Sequence, residues 1–332
     1  MKEIRLIKSR WLAAGAALLA AAVLLAGFAV YVRMLLGTAL DGRRMRADGS
    51  AEMTWFELRE QMFSGQADTR VNGWLSIVDA EEVSFKASRG MISATHYAPV
   101  GMKEGAPWVI ALHGGLGTDR VQVRDIACSL SLSGYHVLTP DLYAHGKSEG
   151  MVSSLGVCDA LDVEVCVEWV LGQDADAQIA LFGQDEGGIA CLLAGADGLP
   201  PAVKAIAVDS VYASAENRAM QLAEEVAGER DPLSKALISA AFAALHGESL
   251  ERGEMMQCIR QFPLPLLVIH GTGDKEVPAW NGEDVARAAG KNAQLYFVEG
   301  AAHGMARFLE PQEYRQTLLA FFAQKIEGES YR

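Results

Sequence analysis

Apolar residues in this chain fall into one long block and many short runs. The block covers residues 11–32 and contains no charge. At 1.5 Å rise per residue it spans about 33 Å as a helix, enough to cross a bilayer core. Trp11 and Tyr31 lie at its two ends, where an aromatic belt would sit. Beyond residue 80, short apolar runs alternate with stretches of helical spacing. That alternation predicts an α/β domain with a mostly parallel central sheet and helices on both faces. Residues 82–87 and 92–97 read as a leading hairpin. Strands are expected at 108–112, 136–139, 178–182, 202–208, 264–269 and 293–298. Helices are expected at 121–131, 159–171, 187–194 and 312–325. A block rich in Ala, Leu and Met, 215–261, reads as helical throughout. Its place between two strands predicts a lid, at about 213–262, over the C-terminal edge of the sheet, where ligands bind in open α/β folds.

The expected organisation is therefore a basic tail (1–10), a transmembrane anchor (11–32), a juxtamembrane lead-in (33–80) and one domain (81–332). A secretory signal peptide competes with the anchor, but its apolar region would span only about 7–15 residues. The segment Gly37-Thr38-Ala39 would be a late cleavage site. Lys2, Arg5, Lys8 and Arg10 precede the block, and Arg33, Arg43, Arg44 and Arg46 follow it. A short basic tail resists translocation, whereas a large domain crosses largely regardless of charge. This places the tail inside and the domain in an extracytoplasmic position; the cysteines argue weakly the other way.

Composition adds two exclusions. Of 332 residues half are hydrophobic, and the formal net charge is −13. A large core is expected, and no Lys/Arg cluster outside the anchor flanks suits nucleic acid. The five cysteines, Cys128, Cys158, Cys166, Cys191 and Cys258, include no C-x-x-C. Cys158 and Cys166 are expected on one helix, about 12 Å apart, too far for a bridge. All five read as small buried hydrophobes. No metal-ligand spacing, phosphate loop or other cofactor motif occurs, so no metal and no cofactor is expected.

Five segments carry chemistry. His113-Gly114-Gly115 follows a strand, and backbone N–H groups in such a loop can face a developing oxyanion. The loop from Asp141 to Gly150 includes His145, and Asp141 and His145 are expected to fix that loop. Gly183-Gln184-Asp185-Glu186-Gly187-Gly188 lies between a strand and a helix, where flanking glycines permit a sharp turn that exposes the central side chain. His270-Gly271-Thr272-Gly273-Asp274 and Gly300-Ala301-Ala302-His303-Gly304 close the last two strands. His96, His136 and His246 match no motif and read as structural. Trp169, Met220, Met255 and Met256 read as packing in the core or lid.

These motifs, in this order, resemble the α/β-hydrolase superfamily from about residue 81 to the C-terminus. The resemblance is to membrane-anchored bacterial serine hydrolases of monoacylglycerol-lipase-like and serine-aminopeptidase-like type. It implies Asp185 at the nucleophile position, Asp274 as the triad acid and His303 as the triad histidine. It also implies an oxyanion hole from the backbone of Glu186 with Gly115 or Leu116. The departure is Asp185-Glu186, where relatives carry serine, often followed by Met.

An aspartate needs no base to become a nucleophile, being ionised near neutral pH in ordinary peptides. On carbonyl carbon it would give a reactive anhydride; on saturated carbon it gives an ester that His303, oriented by Asp274, could hydrolyse through water. Haloalkane dehalogenases and epoxide hydrolases of this fold work in that way. Three features depart from them: Glu186 stands where a Trp is usual, the 113–116 loop lacks Pro, and Tyr212 is the only Tyr or Trp between Val203 and Pro263. The expected substrate is a small molecule with a hydrophobic acyl or alkyl group, since the lid is apolar. The alternatives are a catalytically silent, membrane-anchored binding protein, or a hydrolase using Ser148, Ser210 or Cys191, or His303 with water directly.

Overall fold

The computed structural model describes residues 76–101, 105–115, 117–227, 232–260 and 262–326. The basic tail, the expected anchor at 11–32 and Leu116 lie outside the described residues. Among the described residues no helix is long and apolar enough to cross a membrane.

Strand β3, Trp108–Leu112, is apolar and buried at every position. Its side chains alternate between two cores: Ile110 and Leu112 enter one, Val109 and Ala111 the other. A central strand covered on both faces has to read this way. The hairpin of β1 (Ala80–Ala87) and β2 (Gly90–Tyr97) leads the sheet. The other strands are β4 (His136–Pro140), β5 (Ile179–Gln184), β6 (Val203–Asp209), β7 (Leu266–Gly271) and β8 (Ala293–Val298). They form one sheet in the order β1-β2-β4-β3-β5-β6-β7-β8. Only the β1–β2 and β2–β4 pairings are antiparallel. Arg89, in the hairpin turn, reaches the buried carboxylates of Asp159 and Asp162 and ties the hairpin to the sheet's helical layer.

The helices are α1 (Arg124–Ser131), α2 (Ala160–Gln173), α3 (Glu186–Asp197), α4 (Ala215–Ala227), α5 (Pro232–His246), α6 (Met255–Cys258), α7 (Trp280–Ala289), α8 (Ala306–Leu309) and α9 (Pro311–Ile326). Buried residues of α2, α3, α4, α5 and α7 share one core, and those of α1 and α9 the other. The expected helix at 121–131 starts with a 3₁₀ turn, Arg120–Val123, capped by the Asp119 carboxylate accepting from Val121 N–H. The expected single helical block at 215–261 is broken. Pro232 begins α5, a position where its missing N–H is no loss, and Gly247 follows α5 with φ 70°. A 3₁₀ turn, Leu250–Gly253, precedes α6. Ser214 and Glu254 form a bridge, so this insert leaves and rejoins the sheet at one place.

Helix α7 was not expected, because Asn281, Gly282, Glu283 and Asp284 mask its apolar face. Cys158 precedes α2 rather than sharing it with Cys166, and all five cysteines are free. Trp169, Met220 and Met255 pack in the core, but Met256 is 36% exposed. His96 and His136 stack with Trp108, and His246 packs on Phe242.

Candidate active site

Three strand ends, β5, β7 and β8, converge on one point at the C-terminal edge of the sheet. Strand β5 turns into α3 at Asp185, whose backbone takes φ 47° and ψ −114°. Such a conformation is strained for a residue with a side chain, by about 1–3 kcal/mol. The turn is possible because its neighbours lack Cβ atoms. A Cβ on Gly187 would lie 2.3 Å from the His113 carbonyl oxygen, and one on Gly114 would lie 2.2 Å from that of Gln184. The elbow and the His113 loop are therefore pressed together backbone to backbone.

Asp274 sits just after β7. Its Oδ1 accepts the N–H groups of Glu276 at 3.0 Å and Val277 at 2.8 Å. Its Oδ2 meets His303 Nδ1 at 2.8 Å and lies 3.5 Å from His270 Nε2. Burial would raise its pKa, but the His270 and His303 rings and the Val277 N–H outweigh burial and hold the carboxyl below the ordinary carboxylate value. His303 follows β8, and its Nε2 is 3.6 Å from Asp185 Oδ2. Burial opposes the charged imidazolium, yet the Asp185 and Asp274 carboxylates raise the pKa of His303 well above its ordinary value. The carboxyl groups on either side of His303 thus favour its charged form.

Asp185, Asp274 and His303 are thus brought together as the order of motifs predicted. Gly115 runs beside the elbow: a Cβ built on it would be 3.6 Å from Asp185 Oδ2. The N–H of Gly114 is already donated to Gln122 Oε1 at 2.7 Å. Glu186 is the first residue of α3, where backbone N–H groups have no partner within the helix. Its side chain turns away from the reaction centre: Ser153 Oγ donates to Glu186 Oε2 at 2.8 Å, and His145 Nε2 lies 3.9 Å away. Burial first, and the Asp185 charge second, push the Glu186 carboxyl up to about 8. It is then neutral at pH 7, so it does not add the second negative charge that its sequence position suggests.

The other candidate nucleophiles are committed elsewhere. Ser148 Oγ donates to the Asp141 carbonyl at 2.7 Å. Ser210 Oγ donates to Asp209 Oδ1 at 2.9 Å and accepts Gly304 N–H at 3.0 Å. Cys191 is fully buried in α3, which raises its thiol pKa. Tyr212 donates its hydroxyl to the Leu155 carbonyl. Asp141 fixes its loop as expected, accepting from Arg120 N–H at 2.9 Å, Arg120 Nη1 at 2.7 Å and Lys147 N–H at 2.8 Å. Among the described residues no group of three or more His, Cys, Asp or Glu could hold a metal ion.

Two contributors escaped the sequence reading. Arg307 holds the histidine loop and the glycine loop together: Nη1 donates to Gln184 Oε1 at 2.8 Å and to the Gly304 carbonyl at 3.2 Å, and Nη2 to the Gln122 carbonyl at 2.7 Å. Arg218, on α4, is buried at the site, 3.8 Å from Glu276. Its signal in the sequence is an arginine on an apolar helical face, three residues after Ala215 and four before Leu222.

Comparisons with known proteins bear on the fold. A model of the α/β hydrolase fold matches residues 107–252, and a model of the prolyl oligopeptidase family matches residues 204–329. An uncharacterised protein of Mycobacterium tuberculosis (strain H37Rv) is 27% identical over 282 residues, covering 84% of this chain and 92% of that protein. The uncharacterised protein YfhR of Escherichia coli O157:H7 is 25% identical over 227 residues, 68% of this chain and 73% of that protein. Among solved structures, an esterase from Pyrococcus furiosus superposes with a TM-score of 0.58 at 18% identity, covering 78% of this chain and 94% of its own. Est1E from Butyrivibrio proteoclasticus, solved with ferulic acid bound, gives 0.57 at 20% identity over 73% of this chain and 99% of its own. At such identities these structures show the fold. With two family models matching overlapping parts of the domain, and a strained elbow, an acid and a histidine at the ends of β5, β7 and β8, the chain has the α/β-hydrolase fold.

Proposed function

We propose that this protein is a hydrolase that attacks a saturated carbon of a small, largely hydrophobic substrate with the Asp185 carboxylate. One observation carries the reading: an aspartate stands at the strained elbow with His303 Nε2 3.6 Å from its Oδ2, while His303 Nδ1 is hydrogen-bonded to Asp274 at 2.8 Å. In the first step an Asp185 oxygen forms a C–O bond as the C–X bond breaks, and X leaves with the electron pair. The product is an alkyl ester of Asp185. Esterification removes the charge that raises His303 most, so His303 releases its proton to solvent. In the second step His303 Nε2 takes a proton from water, and the hydroxide adds to the ester carbonyl. The backbone N–H groups of Glu186 and Gly115 would face the resulting oxyanion. Collapse releases the alcohol and restores the carboxylate.

Acyl substrates fit less well, because carboxylate attack on them ends in an anhydride, although the esterases of similar fold act on esters. The insert at 213–262 would be the lid over this site. We assign the anchor to residues 11–32 and place the domain on the extracytoplasmic side.

A silent binding protein is the second reading. It is favoured by the carboxyl groups on either side of His303, which stabilise its charged form and so weaken it as a base. Intact mass spectrometry separates the two. The His303→Gln variant, exposed to a chloroalkane or an epoxide, should gain the mass of the alkyl group or the ring-opened epoxide, mapped to Asp185. No adduct with either reagent, and no turnover by the native protein, would leave the binding reading.

A further inference from the structure

Helix α4 carries one cation into the site. Arg218 lies on the apolar face of that helix and is only 9% exposed. Its Nη2 is 3.8 Å from Glu276 Oε2, beyond hydrogen-bond range, and the Glu276 side chain is itself 62% exposed. Its Nη1 is buried and has no hydrogen-bond partner among the described residues. Both carboxylate oxygens of Asp185 are in the same condition. Among neighbouring negative charges Asp185 acts on Arg218 most strongly, ahead of Glu276, yet the two do not close into an ion pair. A buried guanidinium with an unmet donor is destabilising, so native folds keep one where a ligand or water supplies the acceptor.

We propose that Arg218 and Asp185 form the two ends of one substrate subsite, and that the substrate carries a carboxylate which Arg218 holds while Asp185 meets the carbon under attack. The guanidinium fork presents paired N–H groups that match a planar carboxylate. Charge counting favours a monoanion. The Arg218 guanidinium stands between the Asp185 carboxyl and the exposed Glu276 side chain, so it has one positive charge to offer a ligand. A phosphate would bring a charge of about −1.5 to −2 against one guanidinium, beside Asp185. A carboxylate brings one charge. The catalytic half of this proposal rests on the Asp185 reading above; the binding half does not.

Two measurements on the full chain at pH 7 test it. Calorimetric titration with butyrate and with butyramide, which has nearly the same shape without the charge, should show at least about tenfold tighter binding of the carboxylate. Arg218→Gln should erase that preference, Arg218→Lys should keep part of it, and Asp185→Asn should strengthen carboxylate binding by removing a repulsion. Equal affinity for acid and amide, or no binding of either up to their solubility limits, overturns the proposal without any variant. The second measurement compares adduct formation on the His303→Gln protein with 4-chlorobutyrate, 4-chlorobutyramide and 1-chlorobutane. Faster labelling by the acid, lost in the His303→Gln/Arg218→Gln double variant, supports Arg218 as the specificity group. Equal slowing of all three reagents would make Arg218 a leaving-group donor instead and overturn the proposal. Carboxylate preference in binding with no adduct from any reagent would sink the covalent reading and leave the anion subsite standing.

Discussion

Replacing Glu186 by Gln should make the protein's stability less sensitive to rising pH. Glu186 is buried beside Asp185, and burial together with that charge lifts its carboxyl from an ordinary 4.5 to about 8. The folded state therefore binds this proton more tightly than the unfolded chain does. Between these two values the unfolded state carries fewer protons, so stability falls as pH rises. Each unit corresponds to about 1.4 kcal/mol, which sets a ceiling of about 5 kcal/mol for full ionisation in the folded state, about 4 kcal/mol of it appearing between pH 5 and pH 9. Glutamine keeps the shape and still accepts from Ser153, but has no proton to lose. Urea unfolding of both proteins at intervals from pH 5 to pH 9 gives the difference in stability at each pH, in which the titration of other groups cancels. The variant should gain on the native protein steadily through that window, by one to several kcal/mol. A difference that stays flat, or one that shrinks with pH, would mean that Glu186 is ionised in the fold. Asp185 would then face a second negative charge after all.

Other substitutions probe the frame around the elbow. Arg307→Met removes four hydrogen-bond partners at once, including the Asp125 carboxylate at 2.9 Å; a loss of about 3–5 kcal/mol in chemical unfolding is expected, as for other broken buried pairs. Gly114→Ala forces a Cβ to within 2.2 Å of the Gln184 carbonyl, and the melting temperature should fall by more than ordinary overpacking of about 1–3 kcal/mol explains. Asp274→Asn removes a carboxyl held below its ordinary 3.8. The native protein's stability advantage over that variant should be complete above pH 3.8 and fade as acid protonates the folded carboxyl. Asp185→Ser takes away the carboxylate that raises His303 most, so aryl-ester hydrolysis should appear in the variant and rise with pH as His303 loses its proton; an inert variant would show that the oxyanion donors or the lid no longer suit acyl transfer.

The strands and the three loops were legible because each rests on local pattern. Trp108–Leu112 is apolar throughout, and Asp185, Asp274 and His303 each close a strand in the expected order. What escaped depends on contacts between distant segments. Arg307 links the histidine loop to Gln122 across 185 residues, and no window of sequence contains both. Arg218 sits among Ala and Leu on a helix, where an arginine looks like an exposed position unless the fold folds α4 back over the site. Glu186 misled for another reason: adjacency to Asp185 suggested a shared direction, but the sharp turn sends the two side chains apart, one towards His303 and the other towards Ser153. The helical block expected at 215–261 is helical, but its division into separate helices was not legible, because Pro232 is compatible with a helix start and does not register as a break.

The aspartate does more to this site than replace a hydroxyl. It adds a carboxyl to a site that already holds Asp274 on the other side of His303 and Glu186 behind the elbow, and a buried unpaired charge would be strongly destabilising. The surroundings favour keeping protons: the carboxyls beside His303 raise its pKa, and burial with the Asp185 charge raises that of Glu186. Both responses depend on the charge of Asp185, which ranks first among the groups raising His303 and second only to burial for Glu186. Esterifying Asp185 would therefore discharge the elbow and loosen two protons at the moment a base is needed. A binding protein requires only the resting charges. A catalyst requires that they change with the covalent state of Asp185, and His303, 3.6 Å from the carboxylate and fixed by Asp274, is placed to feel that change.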